Sequence, residues 1–313
     1  MIITRPQHIL RGITLIIAAA FTISVQDVVF KLFSNTLSLW QIFAVRAVLA
    51  FPLFAALPWW RGTGPGTLGN ALHKWPMVRG LCLTLTFMAF YAAIPFLSLS
   101  TVGAANYTAP IFVTLLSAFA IRETVGPRGW VAVCVGFAGV LILLQPGTDA
   151  FSPWAVLPVI GAFFYALGHI VTRVKCQDIP LATMALSLNL MMLAAGLGAS
   201  AVLLIWPPDA DLARAFPNVL GPWQPIGQTE WLVLTVLAAL TVAIGMLLAG
   251  AYQAAPPATV ATFEYSYLLF VAFWDLTFFA AMPGGTTLLG MALIIGAGLL
   301  VLRRRTPTAP TID

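Results

Sequence analysis

Charged residues are scarce in this chain. Lysine, arginine, aspartate and glutamate make up 8% of the 313 residues, whereas hydrophobic residues make up 60%. A soluble domain has about 25% charged residues, and an ionised group held in hydrocarbon must be paired, hydrated or functional. The composition therefore excludes an ordinary soluble domain and predicts an all-α polytopic membrane protein. Its few charged residues become the informative positions.

Cysteine is also rare. Cys82, Cys134 and Cys176 are odd in number, far apart and without C-x-x-C spacing, so neither a disulfide framework nor a metal knuckle is indicated. The net charge of +5 comes from basic residues in small scattered groups, and this pattern argues against nucleic-acid binding. The sequence has no H-E-x-x-H and no Walker loop. We therefore expect no enzyme activity, no metal and no cofactor.

What the chain does have is a series of apolar stretches of bilayer-spanning length, separated by proline, glycine or charge. The first stretch carries Arg5 and Arg11 ahead of it, and we interpret it as a retained helix, not as a cleaved signal peptide. Ten transmembrane helices are predicted. They cover residues 12–32, 38–60, 76–98, 101–121, 128–145, 153–174, 180–206, 231–252, 256–282 and 286–302.

The basic residues give these spans an orientation. If the N-terminus is cytoplasmic, most lysines and arginines flank the inner ends of the spans, as the positive-inside rule requires. The sequence thus predicts a multi-pass protein of the bacterial inner membrane with both termini cytoplasmic and the segment 207–230 outside. The inner basic residues are Arg5, Arg11, Arg61, Lys74, Arg79, Arg122, Arg128, Arg173, Lys175, Arg303, Arg304 and Arg305.

The two halves of the chain are weakly similar to each other. An offset of 142 residues places Asp27 on His169, and an offset of 158 places Asn106 on Glu264. Because each unit would contain five helices, the second copy must enter the membrane upside down, as in many transporters. We predict two inverted five-helix repeats, at residues 1–146 and 147–305, followed by a cytoplasmic tail at residues 306–313.

Several motifs resemble a known family. These are the run from Ala251 to Pro256 with Glu264-Tyr265-Ser266 after it, Arg46 in the second span, Arg122-Glu123 closing the fourth, and Gly136 and Gly139 in the fifth. The chain resembles the drug/metabolite transporter superfamily, in particular its EamA-type ten-helix exporters and their bacterial branch for amino acids, including aromatic ones. The resemblance implies export of a small molecule, with the binding site between the repeats.

In the first repeat, five residues are candidate substrate contacts. Asp27 and Lys31 are spaced i, i+4 and are expected to form an ion pair, which either neutralises itself or opens to admit a zwitterion. Arg46 is either a structural clamp on Asp27 or on loop carbonyls, or a guanidinium fork for a substrate carboxylate. Asn106 and Tyr107 are the counterparts of polar residues in the second repeat.

In the second repeat, Glu264 is the strongest candidate. It lies about eight residues, or about 12 Å, into the ninth span, which places it near the bilayer midplane where transporters bind their cargo. Tyr265 and Tyr267 are expected to add hydroxyl and ring contacts. Asp275 could form an outer gate or be hydrated at the rim, and His169 could relay protons or be a hydrogen-bonded structural residue.

We therefore predict a secondary transporter that exports small organic metabolites by alternating access. Amino acids, in particular bulky or aromatic ones, are the favoured cargo because Arg46 or Lys31 would supply a cation and Glu264 or Asp27 an anion. Drugs, nucleosides or other metabolites are the alternative cargo, and a receptor or subunit that transports nothing is the alternative from another class. The expected partners are the substrate and the lipid bilayer, with the protein a monomer or homodimer.

Overall fold

The computed structural model describes residues 9–33, 36–61, 69–106, 108–120, 127–144, 152–255, 260, 263–264, 266–280 and 284–302. Within these ranges the chain is helical and contains no strand. The tail predicted at 306–313, together with Tyr107 and Tyr265, lies outside the described residues.

In the described residues of the first part, the chain forms six helices. Short 3-10 turns at Asn70–Leu72 and Ile94–Phe96 flank the third helix. The predicted span 101–121 is not one helix but two, because Pro110 has no backbone N–H to donate and the chain turns at Thr108, where the amide and hydroxyl both bond to the Ala105 carbonyl. The helices are α1 Ile9–Phe33, α2 Leu39–Arg61, α3 Lys74–Ala93, α4 Leu99–Asn106, α5 Ala109–Ala120 and α6 Pro127–Leu144.

In the second part, seven further helices have bounds within the described residues, after a 3-10 turn at Pro153–Ala155. Two of them are short and occupy the segment predicted to be external. That segment is fastened to the second helix, because the Trp40 indole donates to the Val219 carbonyl and Gln41 exchanges two hydrogen bonds with the backbone of Gln224. The helices are α7 Val156–Lys175, α8 Leu181–Ile205, α9 Ala210–Ala215, α10 Pro217–Leu220, α11 Gln228–Ala254, α12 Ser266–Phe279 and α13 Gly285–Leu302.

In the part of the chain that the structure describes, five helical segments are long and apolar enough to cross a bilayer, and three shorter helices are similarly apolar. Large apolar side chains such as Leu204, Leu269 and Leu10 are exposed on the outside, which is the surface expected against lipid. The protein is therefore an α-helical membrane protein, while the count of ten spans and the inverted repeat stay predictions.

Small residues allow the helices to approach closely. At Gly196 in α8, an added Cβ would lie 2.7 Å from two backbone atoms of α2, the Ala44 nitrogen and the Trp40 oxygen. We expect Gly196→Ala to force α2 and α8 apart and to destabilise the protein by about 1–3 kcal/mol, measured as a lower midpoint of thermal unfolding in detergent. Gly198→Ala is the matched control, because an added Cβ there meets nothing within 4 Å. Equal midpoints for the two variants would contradict this packing.

Candidate functional site

A cavity of about 60 Å³ lies inside the helix bundle. It has room for a few water molecules and is far smaller than the pockets of about 300–1,000 Å³ that hold metabolites. Both charged side chains on its described wall, Asp27 and Glu264, are acidic. The lining comprises Ile16, Ala20, Ile23, Asp27, Thr86, Phe87, Phe90, Asn106, Ala109, Tyr165, Leu248, Glu264 and Tyr267.

Glu264 is only 6% exposed, and its carboxylate is held by two tyrosines. Tyr165 from α7 and Tyr252 from α11 donate their hydroxyls to Oε1 over 2.8 and 2.7 Å. A buried carboxylate needs such donors because it accepts hydrogen bonds and donates none when ionised. The predicted cavity residue is therefore in the cavity wall, and the two tyrosines connect it to two other helices.

His169 lies behind this pair of tyrosines. Its ring stacks on Tyr252 at a centroid distance of 4.1 Å and meets Tyr165 edge-on at 4.1 Å. The imidazole is 4% exposed, and neither ring nitrogen has a hydrogen-bond partner among the described residues. The structure thus places His169 beside the Glu264 cluster, where its ring fixes both tyrosines, but outside the lining of the cavity.

Asp27 reaches the cavity from α1. Its Oδ2 accepts a hydrogen bond of 2.7 Å from the Tyr267 hydroxyl, so the predicted polar contact of Tyr267 is made to the protein itself. The preceding residue, Gln26, donates to the Tyr91 hydroxyl and accepts from Thr241 over 3.0 Å. This buried network joins α1 to α3, α11 and α12 around the carboxylate.

The prediction that Asp27 and Lys31 form an ion pair is wrong, because Lys31 contacts other groups. Lys31 lies one helical turn further along α1, where α12 and the connection between α3 and α4 come within reach of its long side chain. Its Nζ donates to the Leu97 carbonyl over 3.0 Å and lies 4.0 Å from Oδ1 of Asp275. The backbone N–H of Leu99 also donates to Asp275 Oδ1 over 3.3 Å. We call this group the latch; it comprises Lys31, Asp275, Leu97 and Leu99.

Arg46 is 1% exposed and is not among the described residues that line the cavity. Its guanidinium carbon lies 4.6 Å from the Phe43 ring centroid and 5.5 Å from that of Tyr91, and Nη2 lies 3.4 Å from Sδ of Met192. Nε and Nη1 have no hydrogen-bond partner in the described part of the chain. Arg46 therefore forms no hydrogen bond or ion pair with Asp27 or with a loop carbonyl among the described residues. Aromatic faces support the cation, and the Asp27 carboxylate attracts it electrostatically.

Asn106 lies at the last residue of α4, where the fourth predicted span breaks. Its Oδ1 atom is buried without a hydrogen-bond partner in the described chain, and the side chain lines the cavity. The positions that the predicted repeat relates, Asn106 and Glu264, therefore line one cavity.

Several residues of the site were not predicted from the sequence. Tyr165 and Tyr252 hold Glu264, while Gln26 and Tyr91 surround Asp27. A buried tyrosine is more often a core residue than a ligand, so its presence alone does not signal a site. The one available signal was Tyr252, which belongs to the motif between Ala251 and Pro256.

Comparison with known proteins agrees with this architecture. The model of the EamA-like transporter family matches residues 10–145. A riboflavin transporter of Vibrio cholerae is 34% identical over 190 residues, which is 60% of this chain and 57% of that protein. A riboflavin transporter of Rhizobium johnstonii is 26% identical over 95% of this chain and 93% of its own length. An S-adenosylmethionine uptake transporter of Rickettsia felis is 22% identical over 94% of this chain and 92% of that protein.

A crystal structure of a protein with 19% sequence identity superposes with a TM-score of 0.61, covering 94% of this chain and 99% of the other. This likeness concerns the fold. Together with the family match, the relatives define a membrane transporter and not an enzyme. Residues 10–145 thus match the EamA-like transporter family, and the chain is similar to transporters of the drug/metabolite transporter superfamily, in agreement with its motifs.

Proposed function

We propose that this protein carries a small, flat, aromatic metabolite across the bacterial inner membrane, with riboflavin as the first candidate. The observation that carries this proposal is the chemistry of the cavity: its described charged groups, Asp27 and Glu264, are both acidic, and Phe87 and Phe90 add aromatic faces. Carboxylates accept hydrogen bonds from a polyol chain, and aromatic rings stack on a flat heterocycle. Riboflavin offers both a polyol chain and a flat ring.

The names of the relatives support the same cargo. Both the Vibrio and the Rhizobium proteins are riboflavin transporters. A cationic cargo of the S-adenosylmethionine type is the second candidate, because two carboxylates on one cavity suit a positively charged substrate.

Export of amino acids, the cargo favoured by the sequence, fits the cavity less well. A zwitterion needs a cation for its carboxylate, but Arg46 lies outside the described lining and Lys31 is engaged in the latch. Export as the direction of transport stays a prediction.

The cargo can be tested with purified protein in liposomes. We expect saturable entry of riboflavin that excess unlabelled riboflavin suppresses at least about 10-fold, against protein-free liposomes as the background. The same vesicles should be offered S-adenosylmethionine, phenylalanine and tryptophan. Flux of an amino acid without flux of riboflavin would favour the zwitterion, and flux of S-adenosylmethionine alone would favour the cationic cargo.

We further propose that alternating access uses two inverted repeats, at residues 1–146 and 147–305. The packing supports this division, because α1 contacts α11 and α12 while α7 contacts α3 and the pair α4 and α5. α1 and α7 are the first helices of the two proposed repeats. Each of them packs against the third and fourth spans of the opposite repeat, as a two-fold relation between the repeats requires. A cargo of metabolite size requires the walls of the small cavity to separate, so the structure corresponds to a contracted form of the cavity.

The orientation gives a separate prediction. In a protein whose three cysteines are replaced by alanine, Pro225→Cys should react with an impermeant maleimide added to intact cells, whereas His73→Cys should react only after permeabilisation. Both positions are exposed and lie outside helices, so neither change should disturb the fold. The expectation rests on the positive-inside rule. Labelling of His73→Cys from outside would contradict a cytoplasmic N-terminus.

A further inference from the structure

One polar group on the described wall of the cavity has no hydrogen-bond partner among the described residues. Oδ1 of Asn106 is buried and accepts no hydrogen bond from the described residues, although an orphaned buried acceptor is costly. The two carboxylates differ in this respect, because Tyr267 donates to Asp27, and Tyr165 and Tyr252 donate to Glu264. An acceptor kept without a partner in a cavity wall is available to a ligand.

The chemistry of an amide restricts what that ligand can be. An asparagine side chain presents an acceptor and two donors in one plane, whereas an ionised carboxylate only accepts. It can therefore pair with an edge that carries an N–H beside a carbonyl, such as a lactam or an imide, through two parallel hydrogen bonds. Two such bonds fix the orientation of a flat ring, as asparagine does when it pairs with the edge of a base.

The surroundings of Asn106 fit a flat ring. Phe87 and Phe90 from α3 line the same cavity, together with Tyr267, and aromatic side chains stack on planar heterocycles without regard to their substituents. Stacking supplies affinity but discriminates poorly, so the choice among flat ligands depends on the polar edge. Asn106, at the end of α4, is placed to form hydrogen bonds with that polar edge.

We propose that Asn106 determines the specificity of the cavity by pairing with the N–H and carbonyl edge of a planar heterocycle. This inference rests on the proposed function and names the group that selects the cargo. In riboflavin the edge is the imide, whose N–H lies between two carbonyls. The polyol chain, at the other side of the ring system, then faces the carboxylates.

The test compares two ligands and three proteins. Riboflavin and 3-methylriboflavin differ by a methyl group that removes the imide donor, and their binding to detergent-purified protein is followed by quenching of flavin fluorescence. Asn106→Leu keeps the side-chain size and removes the amide. Asn218→Leu is the matched control, because Asn218 is also buried with an unpartnered amide but lies in α10, outside the described cavity lining.

We expect the parent to bind riboflavin about 10- to 100-fold more tightly than the methylated ligand, since one side of a paired edge is lost. Asn106→Leu should weaken riboflavin binding by a similar factor and change 3-methylriboflavin binding little, whereas Asn218→Leu should resemble the parent. If Asn106→Leu weakens the binding of both ligands equally, or of neither, the proposed role of Asn106 is wrong. The proposal of flavin transport would not be affected by that result. A parent that binds neither flavin would refute the proposed function and this inference together.

Discussion

Glu264→Gln is expected to lower the transport rate by about 10- to 100-fold, the loss that follows when a ligand's hydrogen bond to a charged group is replaced by one to a neutral group. The substitution preserves size, and the oxygen that accepts from Tyr165 and Tyr252 has an equivalent in the glutamine amide. The fold should therefore survive, which an unchanged thermal midpoint in detergent would show. Riboflavin flux into liposomes is the readout.

A pH series separates two mechanisms for this loss. Reduced flux at every pH would support recognition of the cargo by the carboxylate, whereas loss of the pH dependence alone would support proton coupling through Glu264. Glu230→Gln is the matched control, because Glu230 lies in the first turn of α11 and is not among the described lining residues. If Glu264→Gln transports like the parent at all pH values, Glu264 is structural and the site assignment fails.

Asp275→Asn is expected to open one end of the cavity. Asp275 is fully buried and receives both the Leu99 amide and the Lys31 ammonium, and the latch lies one turn of α1 beyond the cavity residue Asp27. Removing one partner of a buried charge pair is strongly destabilising for the state that contains it. We expect a cysteine placed at Ala20, in the cavity wall, to react at least about 10-fold faster with an impermeant thiol reagent in the variant.

The matched control for the latch is an exposed ion pair. Arg214 and Asp211 lie 3.0 Å apart at the surface, with side chains 76% and 86% exposed, and such pairs contribute little. Asp211→Asn should therefore leave the labelling rate at Ala20→Cys unchanged. Exchanging the latch charges, Lys31→Asp with Asp275→Lys, should restore part of the slow labelling. A labelling rate that is insensitive to Asp275→Asn would show that the latch does not close this end.

The sequence predicts helices better than it predicts partners. Apolar length is a local property, so the long helices could be located from the apolar stretches of the sequence, whereas the break between α4 and α5 within the predicted span 101–121 was not predicted. The partner of Lys31 could not be found in this way. The i, i+4 rule compares positions on one helix, but the side chain contacts Asp275, which is 244 positions away and becomes a neighbour only when α12 packs against α1.

In the candidate site too, the sequence indicates individual residues but not the partners that they contact. Asp27, Asn106, Glu264 and Tyr267 are polar residues in apolar stretches, and the structure brings these four to one cavity. Arg46 is also a polar residue in an apolar stretch, but it packs against Phe43 and Tyr91 outside the described lining, because aromatic faces can support a guanidinium. Rarity of charge therefore identifies candidates, while helix packing decides which of them meet.

The contracted cavity has a consequence for affinity. A cavity of about 60 Å³ must widen before a metabolite enters, so only the widened fraction of molecules is competent to bind. The measured dissociation constant then equals the intrinsic constant divided by that fraction; if about one molecule in a hundred is widened, binding is about 100-fold weaker than the contacts alone would give. Loosening the wall, for example by Tyr165→Phe, would tighten cargo binding. The tyrosine hydroxyls that hold Glu264 in the narrow cavity wall thus favour release of the cargo once it has crossed.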